Sequence, residues 1–169
     1  MIILAIDSGL EKTGFAVFKK DKSSPVYIAS GLIITDKKKK TERRVWEIYN
    51  RLNDVIKEYR PTLIVIEQLF FFKNQKTVIS VAQTQGAILL LASQNNIPVE
   101  FLTPLQIKQT VTGYGLSDKE SVRKMIGLTL KIDKKIKEDD EIDAIACGLA
   151  YCYLNKSQET TNKKQIVLI

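Results

Sequence analysis

Two acidic residues stand directly after apolar runs that have the length of buried β-strands. Asp7 follows residues 2–6, and Glu67 follows residues 63–66. A right-handed crossover would make these strands parallel neighbours, so that both carboxylates would lie at the same carboxyl edge of a sheet. Ligands of open α/β sheets bind at that edge. The spacing therefore predicts a site that contains Asp7 and Glu67.

Two aspartates farther along the chain are placed to join this site. Asp140 and Asp143 lie three residues apart at the start of a predicted helix, which puts both on one face. The apolar face of that helix, which would pack on the sheet, carries Ile142, Ile145, Ala146 and Leu149. If the helix packs beside the two central strands, four carboxylates converge.

Four carboxylates at close quarters repel one another and raise each other's pKa unless cations neutralise them. Oxygen ligands select hard divalent ions, and two Mg²⁺ would balance four carboxylates, with Mn²⁺ as a substitute. Two such ions can activate a water and stabilise a leaving oxygen in an in-line displacement. The predicted chemistry is phosphodiester hydrolysis.

Each acid also has an ordinary structural explanation. Asp7 could form an Asx-turn, and Glu67 could be a solvated strand end. The acidic run at residues 138–141 could simply complement a helix N-terminus. Most surface carboxylates are only solvated, so each acid alone would be read in that way. It is their joint placement that favours a site.

The composition narrows the chemistry further. The chain has no histidine, which excludes Ser-His triads, histidine-ligated zinc and histidine general bases. Its net charge of +7 fits a polyanionic partner such as nucleic acid, and equally fits a generally basic surface. The two cysteines, Cys147 and Cys152, would point to different faces of a helix, so we expect both to be reduced packing residues.

The pattern of apolar residues predicts an α/β fold with a five-stranded mixed sheet flanked by helices. We expect strands at residues 2–7, 14–19, 26–34, 63–66 and 98–102, and helices at residues 41–60, 76–94, 104–111, 117–129 and 139–153. Residues 1–154 would form one nuclease domain and residues 155–169 a polar C-terminal tail. With neither a membrane-spanning run nor a signal leader in view, the expected location is the cytoplasm.

Several short motifs, in order along the chain, resemble those of the RuvC family of junction resolvases. The first acidic motif is matched by Asp7-Ser8-Gly9 with Thr13-Gly14, and the second by Ile66-Glu67-Gln68-Leu69-Phe70 with Lys73-Asn74. Gln85-Gly86-Ala87, Thr103-Pro104, Ile107-Lys108-Gln109, Thr112-Gly113-Tyr114-Gly115, Asp118-Lys119 and the segment from Asp140 to Ala146 follow. The resemblance covers nearly the whole chain. Ser8 and Ser117 depart from it, standing where proline and alanine are usual.

The resemblance implies a ribonuclease-H-like fold and an Mg²⁺-dependent endonuclease that resolves four-way (Holliday) DNA junctions as a homodimer. By the same resemblance Asp7, Glu67, Asp140 and Asp143 are the catalytic, metal-binding acids. Lys108 and Lys119 face DNA, and Phe70 enters the junction core. A branch-migration complex is a further partner that the family suggests. The choice of Asp140 over Asp139 rests on the three-residue spacing to Asp143.

Other interpretations remain for single features. The three aromatic residues at 70–72 could close the core or a dimer interface, and the lysines at 37–40 could be a solvated loop. Lys108 and Lys119, taken singly, would be ordinary surface lysines.

Other functions also remain open. One is a nuclease of the same fold that acts on RNA or other branched DNA. A second is half of an actin-like ATPase or sugar kinase, because Asp7-Ser8-Gly9 with Gly14 also resembles a phosphate-binding hairpin. A third is a catalytically inactive junction-binding module.

Overall fold

The computed structural model describes residues 1–21, 24–69, 75–132 and 136–165, and for residues 75–77 and 155–165 it describes the backbone alone. The strands are β1 (Ile2–Asp7), β2 (Lys12–Lys20), β3 (Pro25–Ile34), β4 (Leu63–Glu67) and β5 (Val99–Leu102). The helices are α1 (Thr41–Tyr59), α2 (Gln75–Gln94), α3 (Pro104–Thr112), α4 (Lys119–Thr129) and α5 (Asp139–Gln165).

The five strands form one mixed sheet in the order β3-β2-β1-β4-β5. The first three strands are an antiparallel meander, and β4 then pairs with β1 in parallel, as the right-handed crossover rule predicts. β5 is parallel to β4 on its other side. β1 and β4 are thus central strands, which explains why their residues are apolar on both faces.

Each face of the sheet has its own hydrophobic core. Leu4, Ile6, Ile64 and Ile66 point to one face, where they pack with buried residues of α1 and α2. Ile3, Ala5, Leu63 and Val65 point to the other, where α3, α4 and α5 cover them. The alternation of side chains along a strand makes this division, because successive residues face opposite sides. The predicted five-stranded α/β architecture is confirmed.

Local capping signals determine where α3 and α4 begin. Thr103 caps α3, its hydroxyl accepting from the backbone N–H of Gln106 while the Gln106 side chain accepts from the backbone N–H of Thr103. Gly113 ends α3 with a φ of 82°, a left-handed conformation in which glycine is not strained. Asp118 caps α4 by accepting from the backbone N–H of Ser121. α4 therefore begins at Lys119 rather than at residue 117.

The last helix is longer than expected. The apolar periodicity predicts an end near Tyr153, but α5 continues to Gln165. A helix that is polar all round has no hydrophobic stripe, so the periodicity carried no signal of the extension. The division into a domain at 1–154 and a tail at 155–169 remains a prediction.

Two smaller expectations can also be compared with the structure. Cys147 and Cys152, both on α5, are free and buried in the core, as expected. Among the helices described, none combines the length and apolarity that crossing a lipid bilayer requires.

Candidate active site

The register of the two central strands brings Asp7 and Glu67 to one edge of the sheet. Ile6 pairs with Ile66 in the parallel β1–β4 ladder, and each acid is the next residue of its strand. Both carboxylates are partly buried. The edge predicted from sequence is therefore where the structure places these two acids.

The first turn of α5 approaches the same edge because of a glycine in β2. A Cβ atom built on Gly14 would lie 1.9 Å from the carbonyl oxygen of Asp140 and 2.5 Å from its carbonyl carbon. Only a residue without a side chain permits this contact. Gly14 also pairs with Asp7 across the β1–β2 ladder, so the close approach sets Asp140 beside the end of β1.

The charges of the four acids act on one another. Burial raises the pKa of Asp7 well above its ordinary value, and the negative charges of Glu67, Asp143 and Asp140 raise it further. Burial, followed by the charge of Asp143, raises the pKa of Glu67 to about 7. Burial is also the main cause of the raised pKa of Asp143. The residues around this edge therefore supply too little positive charge to stabilise all of these carboxylates in their ionised form.

Part of the missing positive charge comes from lysines. Lys119 Nζ lies 3.3 Å from Asp143 Oδ2 and 3.4 Å from Asp139 Oδ2. Lys108 and Lys119 line a cavity of about 200 Å³ together with Glu67 and Asp143. Both lysines lower the pKa of Glu67, in part offsetting its burial. The structure thus brings both predicted lysines to the acidic edge.

Asp140 lines a second cavity, of about 470 Å³. The turn from Gly9 to Lys12 and the side chain of Arg44 contribute to its lining. The negative charges of Asp143, which lines the first cavity, and of Asp140, which lines the second, both raise the pKa of Asp7. Within the described part of the chain, no three acidic or cysteine side chains are arranged tightly enough to hold a metal ion as they stand. The four acids are neighbours spread along an edge.

Asp139 and Asp140 occupy different surroundings. Asp139 is exposed and accepts from Arg123 Nη2 at 2.9 Å, and Arg123 also donates to the carbonyl oxygens of Ile136 and Lys137. Arg123 holds the pKa of Asp139 below its ordinary value. The structure thus assigns Asp139 to an ion pair with α4 and leaves Asp140 on the side of Asp7.

Two further contacts anchor the start of α5. Lys12, at the beginning of β2, pairs with Glu138, and the Ser30 hydroxyl donates to the buried carboxylate of Glu141. These side chains tie the segment before and within the first turn of α5 to two strands. Three residues of the acidic run at 138–141, namely Glu138, Asp139 and Glu141, thus form specific ion pairs or hydrogen bonds, beyond a general complement to the helix N-terminus.

Gln85 is a site neighbour whose part was not identified from sequence. It is buried on α2, and its Nε2 donates to Ser8 Oγ at 2.9 Å and to the carbonyl oxygen of Glu67 at 3.0 Å. One amide thus joins α2 to the ends of both β1 and β4. A polar residue inside a very apolar helix was the available signal.

Two other predictions have different outcomes. Phe70 lies outside the described residues, so its place is not assigned. The lysines at 37–40 are exposed in a turn, where Lys37 pairs with Glu11 and Lys39 with Glu47. This agrees with a solvated loop.

Comparisons with known proteins give consistent matches. Residues 3–152 match the family model described as "Crossover junction endodeoxyribonuclease RuvC". A curated protein of that name from Thermosipho melanesiensis is 41% identical over 152 residues, covering 90% of this chain and 96% of the relative. Another from Caldanaerobacter subterraneus is 39% identical over 161 residues, covering 94% and 96%.

The fold has counterparts among solved structures. The structure described as "T. thermophilus RuvC in complex with Holliday junction substrate" superposes with a TM-score of 0.86 at 25% identity, covering 94% of this chain and 96% of that one. The sheet order and flanking helices are those of a ribonuclease-H-like fold.

Proposed function

Because the chain belongs to the RuvC family of crossover junction endodeoxyribonucleases, we propose that it resolves four-way DNA junctions by paired symmetric nicks. The observation that carries this proposal is the edge where Asp7, Glu67, Asp140 and Asp143 lie beside two lysines. Carboxylates at such an edge can bind metal, while lysines bind phosphate oxygens. This combination suits hydrolysis of a phosphodiester.

The acids fit divalent metal by their chemistry. The donors are all oxygens, and the pKa of Asp7 and of Glu67 is raised by burial and neighbouring negative charge, which a bound cation would relieve. We propose that Asp7, Glu67, Asp140 and Asp143 hold two Mg²⁺, with Mn²⁺ as a substitute. Bound metal of this kind lowers the pKa of water and stabilises a leaving oxygen.

Lys119 and Lys108 have a separate part in this proposal. Lys119 Nζ contacts Asp143 through a flexible four-carbon stem, so it can turn from the carboxylate to a phosphate oxygen of bound DNA. Lys108, on α3, lines the same cavity as Lys119. The two ammonium groups would position the DNA strand over the acids and do not themselves cut it.

Paired nicks need two active sites, and α2 offers a surface for a second copy. Ile79 is 60% and Leu90 56% exposed. With the exposed Gly86 they follow a spacing of seven and four residues, which places all three on one helix face. Exposed apolar side chains of this size are typical of a protein interface. We propose a symmetric homodimer with α2 at its twofold axis.

A charge on that face tests the dimer. Leu90→Glu should sediment as a monomer at micromolar concentration and should lose paired cutting. Leu128→Glu changes an even more exposed leucine, on α4, and should remain dimeric. A wild-type chain that is monomeric and fully active on junctions would contradict the proposal.

Phe70 remains a proposal from sequence. It stands three residues after Glu67, and we propose that its ring stacks on a base exposed at the crossover, where stacking contributes about 1–3 kcal/mol.

A synthetic four-way junction tests the proposed function. The wild-type chain should make paired symmetric nicks with Mg²⁺, whereas Asp7→Asn and Glu67→Gln should bind the junction and not cut it. Asp54→Asn, which removes an exposed carboxylate of α1, is the matched control and should cut normally. Affinity lost in proportion to activity would contradict the metal-binding assignment, and preference for an RNA substrate would contradict the junction assignment.

A further inference from the structure

The loop between α3 and α4 displays large apolar side chains that the proposed active site does not use. In this loop, residues 113–117, Tyr114 is 61% and Leu116 71% exposed. Leu105, which is 57% exposed, lies against Gly115, the residue between Tyr114 and Leu116. Neighbouring exposed apolar side chains commonly mark a binding surface.

Side-chain hydrogen bonds hold the backbone of the α3–α4 loop in place. Gln109 Nε2 donates to the carbonyl oxygen of Gly113 at 2.8 Å, and its Oε1 accepts from the Gly115 N–H at 2.9 Å. The hydroxyls of Thr112 and Ser117 are 2.7 Å apart across the loop. Tyr114 and Leu116 are therefore presented on an ordered backbone, which reduces the entropy lost when they bind a partner.

The charges around the loop favour a polyanion. The sequence has no acidic residue between Glu100 and Asp118, and Lys108 is the only charged residue in that interval. Asp118 is engaged in capping α4, and the backbone N–H of Ser121 lowers its pKa. A phosphate backbone repels acidic side chains, so a surface that binds DNA should lack them. A surface that binds a protein has no such requirement.

The loop joins the two helices that line the active-site cavity. Lys108 and Lys119, which line that cavity, stand on the two helices that the loop connects. Thr112 Oγ1 donates to the carbonyl oxygen of Lys108, one helical turn earlier. One turn rises about 5.4 Å, so the loop would meet DNA about two base pairs from a phosphate held by Lys108.

We propose that Tyr114 and Leu116 seat in the minor groove of the DNA arm beside the scissile phosphate and thereby hold that arm in register with the acids. Apolar side chains are suited to this place because the groove walls are deoxyribose surfaces, and the groove is about 6 Å wide. The contact is independent of base sequence. It rests on the proposed junction-cutting function and adds a second point of attachment to it.

Hydroxyl-radical footprinting of a synthetic four-way junction without added divalent metal tests this contact, because the radical attacks deoxyribose from the minor groove. The wild-type chain should protect sugars about two base pairs into one arm as well as those at the crossover. The double variant Tyr114→Ala with Leu116→Ala should lose the arm protection alone. Its affinity, measured by fluorescence anisotropy, should fall about tenfold for the apolar area removed.

Two further variants distinguish the loss of a DNA contact from a general disturbance of the α3–α4 loop. Tyr114→Phe keeps the ring and should retain the arm protection. Leu128→Ala removes a leucine that is 73% exposed at the far end of α4, and it should change neither footprint nor affinity.

An arm footprint unchanged in the double variant would overturn the proposal and leave the patch to a protein partner. An equal loss with Leu128→Ala would also overturn it. A wild-type chain that neither binds nor cuts junctions would instead overturn the proposed function.

Discussion

Gly14→Ala should move Asp140 away from the acidic edge while leaving the rest of the fold in place. The added methyl group would meet the backbone of Asp140 at 1.9 Å, whereas ordinary contacts of a Cβ begin near 3.4 Å. The obstacle is backbone, which cannot turn aside as a side chain does. The first turn of α5 must therefore retreat by about 1.5 Å, since cores are close-packed and yield little.

This retreat carries Asp140 away from Asp7. A displacement of about 1 Å in a catalytic group can cost about 100-fold in rate, so we expect single-turnover junction cutting in Mg²⁺ to fall by about that factor. The free energy of unfolding should fall by about 1–3 kcal/mol, as for other overpacked sites. Junction affinity should stay near that of the wild type, because Lys108 and Lys119, the lysines proposed to bind DNA, are on α3 and α4.

Gly127→Ala is the matched control. A Cβ on this exposed α4 glycine would meet nothing within 4 Å, so alanine should stabilise the helix by up to about 1 kcal/mol and leave cutting unchanged. The affinity for Mn²⁺, measured by titration, should be lower for Gly14→Ala than for the wild type and should be unchanged for Gly127→Ala. Cutting at the wild-type rate by Gly14→Ala, with unchanged Mn²⁺ affinity, would refute the argument that close approach of α5 sets the site.

Three other perturbations have defined outcomes. In EDTA, folding raises the pKa of Glu67 from 4.5 to about 7, so ionising this carboxyl costs stability. The free energy of unfolding of the wild-type chain should therefore fall relative to that of Glu67→Gln as the pH rises from 4.5 to about 7. Equal pH profiles of unfolding for the two chains would contradict this. Gln85→Ala leaves the Ser8 hydroxyl and the Glu67 carbonyl without their donor and should lower the free energy of unfolding by about 1–3 kcal/mol in urea melts, whereas the exposed Gln83→Ala should not. Phe70→Ala should bind junctions nearly normally and cut slowly, and unpaired bases at the crossover should restore its rate; a defect unchanged by such bases would return Phe70 to a packing role.

The strand edge was predictable because it depends on short-range signals and one rule of handedness. Apolar runs ending in Asp7 and Glu67 identify β1 and β4, and the crossover rule makes the strands parallel. The two hydrogen-bond acceptors of Gln85 were not predictable, since no local signal indicates that α2 passes over the ends of β1 and β4. The surroundings of Asp139 likewise depend on Arg123, which is distant in sequence.

The parallel pairing of Ile6 with Ile66 also determines which insertions and deletions this chain can tolerate. Side chains alternate between the two faces of a strand, so one residue gained or lost within β1 or β4 would turn every later side chain of that strand to the opposite face. Asp7 or Glu67 would then point away from its neighbour, and the two cores would exchange residues. Length changes in the turn at 37–40, between β3 and α1, leave the ladder intact and add only a small loop-closure cost. Natural length variation should therefore accumulate in such turns, while the two central strands keep a constant length up to their acids.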